Sequence, residues 1–526
     1  MNRTERFAVI GRYLSALRRL GSLEAGGVPL REALRVGATD LWMSSATRES
    51  SLWRDATLAD QITSLTGARP GAEHRATGGS SGVVRSIVAW MRALAHSLRS
   101  TPSPVLDADV VFVQYWPTPP TESRDTSSLS NGHRSAWQSP YFGSLPDALT
   151  ANGIKVGFLH LHADGPVTRP PRTVKRGVRS TSSATARHAL VSDGLAVGGW
   201  VRALSTWLKI VRRWPGEREL DVQITPGTDL AALWQWWRPS LRRSVLGSHG
   251  VRNALLTEMF GEVIRHNRST RLWVIAFEGQ GWESCLVRQL EAANQRWLPY
   301  LHTMMRPWDL RAHTFLSEYR VEQLAVHGRH DRTELAMHDT ELVDVEALRY
   351  QHLGDALPRT SRSGVTVPTE RPWLIVGGGD CELSQYELLA FLQSLRRRSV
   401  SRHLVARWHP QCSQPVGDEF IGVTFTSSPL RDLAQQVGAA FMVGRAAPLD
   451  TYLMGVPSCY LLDESGLSMS PIDDNESHRT ATSSDEAVEW MLTAEQQTGP
   501  AVDVSEFFTI DAELPRWLAL VNGRVT

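Results

Sequence analysis

Apolar and polar positions follow two regimes along the chain. Over residues 1–100 the apolar positions recur at helical spacing, beginning with Phe7, Ile10, Leu14 and Leu17, and predict a mainly helical region. From residue 109 onward, short apolar runs alternate with helical patterns. Residues 109–113 and 154–161 read as strands, the second following the Asn152-Gly153 turn. Residues 166–190 are basic and rich in Ser, Thr and Pro, and read as an exposed loop. Residues 195–214 read as a helix bearing Trp200, Trp207 and Trp214 beside Arg202, Lys209, Arg212 and Arg213. Such a helix suits a membrane surface, but the favoured reading is a core helix with a solvated basic face. A strand over 271–277 and a helix over 282–295 follow.

Residues 355–370, rich in Ser, Thr, Pro and Arg, read as a linker, and alternation restarts at Trp373. Strands are expected over 373–376, 403–408, 439–443 and 457–462, with helices over 384–398, 429–437 and 448–454. Alternation of this kind argues for parallel sheets covered by helices on both faces. The fold expectation is therefore α/β, with Rossmann-type domains at 101–355 and 371–490 and a helical tail over 491–526 that crosses back to the first.

A length of 526 residues exceeds what one core can fill, which agrees with two domains. The formal net charge of +1 provides no overall field for nucleic acid, so no nucleic-acid partner is expected. Cys285, Cys381, Cys412 and Cys459 stand far apart with no C-x-x-C pair, so neither a zinc site nor a disulfide framework is expected. The basic, amphipathic N-terminus lacks the apolar core of a signal peptide, and no run is long enough to span a bilayer. The expected location is cytoplasmic, with peripheral contact to the inner face of the cell membrane as an option.

Ligands of open α/β sheets bind beyond the carboxyl ends of strands, so polar residues at strand ends are the candidates. Arg407, Trp408, His409 and Pro410 follow one strand, and a histidine there can donate to a phosphate. Arg445 and Asp450 flank a turn that opens a helix, where anions are favoured. Glu278 ends the 271–277 strand in a Gly279-Gln280-Gly281 turn, as a catalytic carboxylate would, and Glu283 reads as a helix cap. His302 ends a short apolar strand and can act as general base, with Arg306 and Arg311 to steer an anionic substrate. His160 and His162 share one face of a strand, and a structural role is favoured over zinc binding because no third ligand can be assigned. Gly377, Gly378 and Gly379 do not complete a dinucleotide fingerprint.

In the order of these motifs the chain resembles surface carbohydrate biosynthesis proteins of bacterial O-antigen and capsule clusters. The matching stretches are Glu278 to Glu283, Pro299 to Thr303, Trp308 to Arg311, Val345 to Tyr350, His409-Pro410, Asp450 with Gly455 to Pro457, and Gly466 to Pro471. The wider group is similar to polysialyl-, Kdo- and glycerophosphate-transferring capsule enzymes. The resemblance implies a GT-B-like fold, two Rossmann-type domains facing across a cleft, and a metal-independent glycosyltransferase. It implies a nucleotide-sugar donor, a CMP-linked sugar being one candidate, a lipid-linked or polysaccharide acceptor, and no further cofactor. It assigns catalysis to His302 and Glu278, donor binding to His409, Arg407, Arg445, Asp450 and Ser470, and acceptor binding to Arg306 and Arg311. Where relatives carry Thr-Ser hydroxyls, this chain has Ala446 and Ala447 after Arg445. That departure motivates the alternative of a catalytically degraded scaffold, and a nucleotide-sugar epimerase is the other alternative.

Overall fold

The computed structural model describes residues 3–49, 81–98, 105–116, 139–162, 170–182, 186–214, 216–354, 371–409, 412–434, 436–444, 446, 448–462, 468–494 and 503–525. The expected linker and Arg445 lie outside the described residues.

Two parallel sheets organise the chain. The first holds β1 (Val110–Tyr115), β2 (Val156–Leu161), β3 (Ala186–Leu190), β4 (Leu272–Phe277), β5 (Trp297–Leu301), β6 (Gln323–Val326) and β7 (Glu341–Asp344). Its order is β7-β6-β5-β4-β1-β2-β3, parallel throughout. The second holds β8 (Trp373–Gly377), β9 (Leu404–Arg407), β10 (Val423–Thr426), β11 (Ala439–Val443), β12 (Ser458–Leu461) and β13 (His478–Ala481). Its order is β10-β9-β8-β11-β12-β13, again parallel. Central strands such as β4 and β11 are apolar at every position because both faces are covered. The Rossmann-like expectation for both halves holds.

The covering helices needed below are α1 (Arg3–Ser22), α2 (Ser81–Ser97), α3 (Arg172–Thr181), α4 (Val197–Arg213), α5 (Asp229–Leu246), α6 (Ser248–His266), α7 (Gly281–Ala292), α8 (Cys381–Arg397), α9 (Ser484–Ala494) and α10 (Pro515–Val525). Alternate strand residues divide between the faces. Val111, Val113, Trp273 and Ile275 pack under α2, α4, α6 and α7, while Val110, Phe112, Val274 and Tyr300 pack against α10. In the second sheet Ile375 and Phe441 meet α8 and α9, while Leu374, Val376 and Met442 meet α1 and α5. The N-terminal helix thus belongs to the core around the second sheet, and the C-terminal helix to the first.

The first turn of α10 is held by Glu346 of the first half. Glu346 accepts hydrogen bonds from the backbone N–H of Arg516 (3.0 Å) and Trp517 (3.0 Å), which caps the first turn. The Trp517 indole N–H donates to the Glu346 carbonyl at 2.9 Å, and the ring is fully buried. Trp517→Ala removes this anchor and opens a cavity, so it is expected to cost roughly 3–5 kcal/mol of stability. Chemical denaturation of the variant checks that value.

Residues 166–190 differ from the expected loop. Within them, residues 172–181 form α3 and residues 186–190 form β3. Val174 and Val178 give α3 one narrow apolar edge that packs with Leu190 and Trp116, enough to dock a helix that otherwise carries four basic residues among small and hydroxyl side chains.

Candidate functional site

In each sheet the chain runs outward from a central strand, returns, and then runs outward on the other side. The switch falls between β1 and β4 in the first sheet and between β8 and β11 in the second. Loops diverge there and leave a crevice beyond the strand ends.

Glu278 stands directly after β4, at the first switch. Its turn is set by Gly279, whose φ is +67° and whose hydrogens lie against the Arg311 and Ala312 backbone; a Cβ there would come within 2.5 Å of the Arg311 carbonyl carbon. The Glu278 N–H donates to Glu283 Oε1 at 2.9 Å, so the buried Glu283 ties the turn to the start of α7. Burial pushes the Glu283 carboxyl well above the usual carboxylate range. On the β1 side, the Tyr115 hydroxyl donates to Gln280 Oε1 at 2.6 Å, and the Gln280 amide donates to Glu278 Oε2.

His302 follows β5 and is buried, with 2% of its side chain exposed. Its Nε2 lies 3.0 Å from Glu278 Oε1. Burial raises the Glu278 pKa, but the His302 hydrogen bond and charge, with Arg311 and Gln280, outweigh it and hold the carboxyl below its usual range. Burial lowers the His302 pKa, and the hydrogen bond it donates to Glu278 only partly offsets this. The pair is therefore an ionised carboxylate accepting the Nε2 proton of a neutral imidazole, a tautomer assigned from the hydrogen bond. His302 Nδ1 is left with its lone pair and no hydrogen-bond partner. The Tyr141 ring packs 4.8 Å from the imidazole.

Arg311 lies behind this pair. It forks onto Asp309, Nε to Oδ1 at 2.9 Å and Nη2 to Oδ2 at 2.7 Å, and its Nη1 is 3.8 Å from Glu278 Oε2. Its guanidinium is engaged in holding Glu278. Burial lowers the Arg306 pKa to about 10, against the influence of Asp309 and of Tyr460 on β12, so Arg306 sits where the two halves approach.

At the second switch the Gly378 turn meets the Gly444 turn. A Cβ on Gly378 would fall 1.8 Å from the Gly444 carbonyl oxygen, and Gly444 N–H donates to Glu387 Oε2 at 2.6 Å. Gly378→Ala must therefore displace one of the two turns, and is expected to lower the melting temperature and to weaken any ligand bound at this switch. Thermal melting with and without nucleotide checks both. The His409 ring lies over Gly379, whose Cβ would be 3.9 Å from its Nε2. Burial lowers the His409 pKa, and the charges of Arg407 and Arg349 lower it further. Arg407 donates from Nε to the Ser428 carbonyl at 3.1 Å. Asp450 lies in the short helix Leu449–Leu453, with Oδ1 buried and unpartnered. The Ser470 hydroxyl is committed elsewhere: it donates to the Ile472 carbonyl (3.0 Å) and meets His478 Nε2 (2.9 Å), shaping the approach to β13.

Cys381 and Cys412 form a disulfide with Cα atoms 5.4 Å apart. This corrects the expectation of unpaired cysteines. The loops after β8 and β9 emerge side by side at the carboxyl edge, so 31 residues of sequence separation close to bonding distance. The bridge ties the start of α8 to the turn that carries His409.

Arg349 joins the two groups and has no counterpart among the candidates drawn from sequence. It lies in the turn Leu348–Leu353, which is held where Leu348 N–H donates to the Tyr300 hydroxyl at 3.1 Å. Its side chain is exposed, with no ion pair or hydrogen bond among the described residues. Partial desolvation in the cleft lowers its pKa, although its surface is open to solvent, and Tyr350, Asp450, Glu278 and Tyr141 together raise it above the usual value. Its positive charge is in turn felt by His302, Arg407 and His409. One open guanidinium is thus within electrostatic reach of the Glu278–His302 pair and of Arg407, His409 and Asp450, so the ends of both sheets face a common cleft.

His160 is remote from this cleft. Its Nε2 meets His188 Nδ1 at 2.9 Å, and burial lowers the pKa of both rings. Among the described residues no group of three or more metal-ligating side chains is assembled.

No protein-family model and no curated protein matches the chain. Solved structures are similar to it over most of its length. A UDP-GlcNAc 2-epimerase from Methanocaldococcus jannaschii aligns at 7% identity over 79% of this chain and 99% of its own, with a TM-score of 0.42. The glycosyltransferase SnogD from Streptomyces nogalater aligns at 12% identity over 77% and 97%, with a TM-score of 0.31. A UDP-GlcNAc 2-epimerase from Neisseria meningitidis bound to UDP-GlcNAc aligns at 8% identity over 79% and 98%, with a TM-score of 0.40. At these scores the likeness does not extend to activity, and the functional reading rests on the cleft itself.

Proposed function

We propose that the protein is a GT-B-type glycosyltransferase that moves a sugar from a nucleotide donor to an acceptor hydroxyl in the assembly of a bacterial surface polysaccharide. The observation that supports this reading is the pairing, across one cleft, of a proton acceptor with a set of anion partners around Arg349. His409, Arg407 and Arg349 hold the donor's phosphate, and Asp450 orients the two arginines. The bond between the anomeric carbon and the phosphate oxygen breaks, and the nucleotide leaves as an anion whose growing charge these cations meet without a metal ion. The acceptor oxygen forms the new bond to the anomeric carbon, and its proton passes to the His302–Glu278 pair. Arg311 keeps Glu278 in place, and Arg306 stands at the acceptor approach. The acceptor is lipid-linked or a growing glycan. Ser470 acts by holding the loop beside the donor, and Arg445, next in sequence after Gly444, is a further candidate cation for the donor.

The reading is tested by a thermal-shift screen of the full chain against CMP, CDP, UDP and GDP and their sugar conjugates, CMP-linked sugars first. A ligand present at a hundred times its Kd stabilises the native state by about 2.7 kcal/mol, which a melting curve resolves. At least one nucleotide is expected to raise the melting temperature. If none does, the cleft is not a donor site and the scaffold alternative replaces it.

A further inference from the structure

The helices on the outer side of the first sheet carry a charge imbalance that the chain as a whole does not. α2, α3 and α4 contain two, four and four Lys and Arg residues respectively and not one carboxylate, whereas the whole chain has a formal net charge of +1. α2 and α4 are neighbours, and α3 packs through Val174 and Val178 on Leu190, the last residue of β3, which leads directly into the turn before α4. Trp90 of α2 packs against Trp200 and Trp207 of α4, with centroids 6.0 and 5.8 Å apart. His96, near the end of α2, meets the Ser192 carbonyl at 3.0 Å in the turn before α4. Asp193 in that turn feels the charges of Lys175 and Arg179 from α3.

The tryptophans face inward, so the outward faces are made by other residues. On α2 these are Ile87 and Met91, at 58% and 60% exposure, with Leu98 just past its end at 68%. On α4 they are Val197, Val201 and Leu208, with Val201 52% exposed. The spacings of 87, 91 and 98 and of 197, 201 and 208 place each set on one helix face, opposite buried Ala93 and opposite buried Ala203 and Ile210. Lys209, Arg212 and Arg92 are exposed around these stripes, and Arg172, Lys175, Arg176 and Arg179 line one open groove on α3. Among the described residues Arg202 of α4 is ion-paired, with Glu258 and Glu262 of α6, and Arg213 donates to the Arg35 carbonyl at 3.3 Å.

We infer that this face docks the protein on a bilayer rich in anionic phospholipid. The inference rests on the transferase reading only for its purpose, which is to bring the cleft to a membrane-borne acceptor. The occupant is fixed by two requirements met together. The excess of cations over carboxylates on these helices suits a dense array of phosphates, and the exposed aliphatic side chains need an apolar phase beside it. A soluble polyanion meets the first requirement alone. No described helix is long and apolar enough to cross a membrane, so the contact is one of surface insertion.

The test is sedimentation of the full chain with vesicles of equal parts phosphatidylglycerol and phosphatidylcholine, or of phosphatidylcholine alone. Two double variants accompany the wild type, R176E/R179E and M91E/V201E, each checked by its melting curve. All four positions are exposed or lie on a solvent face. The wild type is expected to bind the anionic vesicles at least tenfold better than the neutral ones and to release them at high salt. Each double variant is expected to weaken anionic binding roughly tenfold or more, while any nucleotide-induced thermal shift is unchanged. Equal binding to both vesicles, or binding that neither variant weakens, overturns the inference. So does a result in which only the arginine variant matters and duplex DNA binds as well as the vesicles, which assigns the face to a soluble polyanion. Since nucleotide binding is read separately, failure here and failure of the donor site are distinguishable.

Discussion

Replacing His302 with alanine is expected to lower turnover by roughly a hundred- to ten-thousandfold while leaving donor binding nearly intact. The ring ends β5, accepts no proton in the resting site, and presents Nδ1 without a partner beside an ionised Glu278. Its loss removes the proton acceptor but none of the groups that meet the donor phosphate. Glu278→Gln keeps the shape and removes the charge that orients the imidazole, so it should also lower turnover with little change in nucleotide affinity. The pH profile gives a second handle. The base acts only when neutral, so activity is present above the His302 pKa and lost below it. Burial lowers that pKa from the ordinary 6.5, so the acid limb should fall below this value. Full activity in His302→Ala, with its fold verified, means the histidine is structural.

The second large effect is expected at Arg349. Arg349→Ala should weaken nucleotide binding and lower turnover by about a hundred- to thousandfold, the range for loss of one preorganised charge partner. Binding and rate fall together here because the contact with phosphate already exists before reaction. Arg349→Lys keeps a charge but not the fork, and should recover part of both. His409→Ala should follow the Arg349 pattern and not the His302 pattern. Isothermal titration of the nucleotide that performs best in thermal shift, alongside steady-state rates, separates the two classes of variant.

How much of this was legible in the sequence depends on which force shaped each part. The buried central strands were readable because their apolar runs are uninterrupted, and 439–443 matches β11 residue for residue. Five edge or near-edge strands, β3, β6, β7, β10 and β13, are not apparent in the sequence. Their positions are partly exposed and mix polar with apolar residues, so they carry no strong run. Glu278, His302 and His409 were found because a polar residue at the end of an apolar run is visible in one dimension. Arg349 follows no such run. It sits in a one-turn helix whose position is set by the Tyr300 hydroxyl and whose charge matters only once the second sheet is in place. The Cys381–Cys412 bridge was missed for the same reason, since adjacency of two loops in one sheet is a tertiary fact. Arg311 and Ser470 were assigned to ligands from motif position, whereas the structure shows their polar atoms occupied by Asp309 and Glu278 and by Ile472 and His478.

The central claim is that this cleft breaks the bond between a sugar and a nucleotide phosphate and hands the sugar to a hydroxyl. The most direct measurement is product analysis after incubating the full chain with the nucleotide sugar that stabilises it best, with and without candidate glycan acceptors. The account predicts free nucleotide in amounts matching sugar transferred to acceptor or, more slowly, to water, and loss of that release in His302→Ala and Arg349→Ala. Recovery of the nucleotide sugar intact, or converted to an epimer with the nucleotide still attached and no transfer to any acceptor, would contradict it.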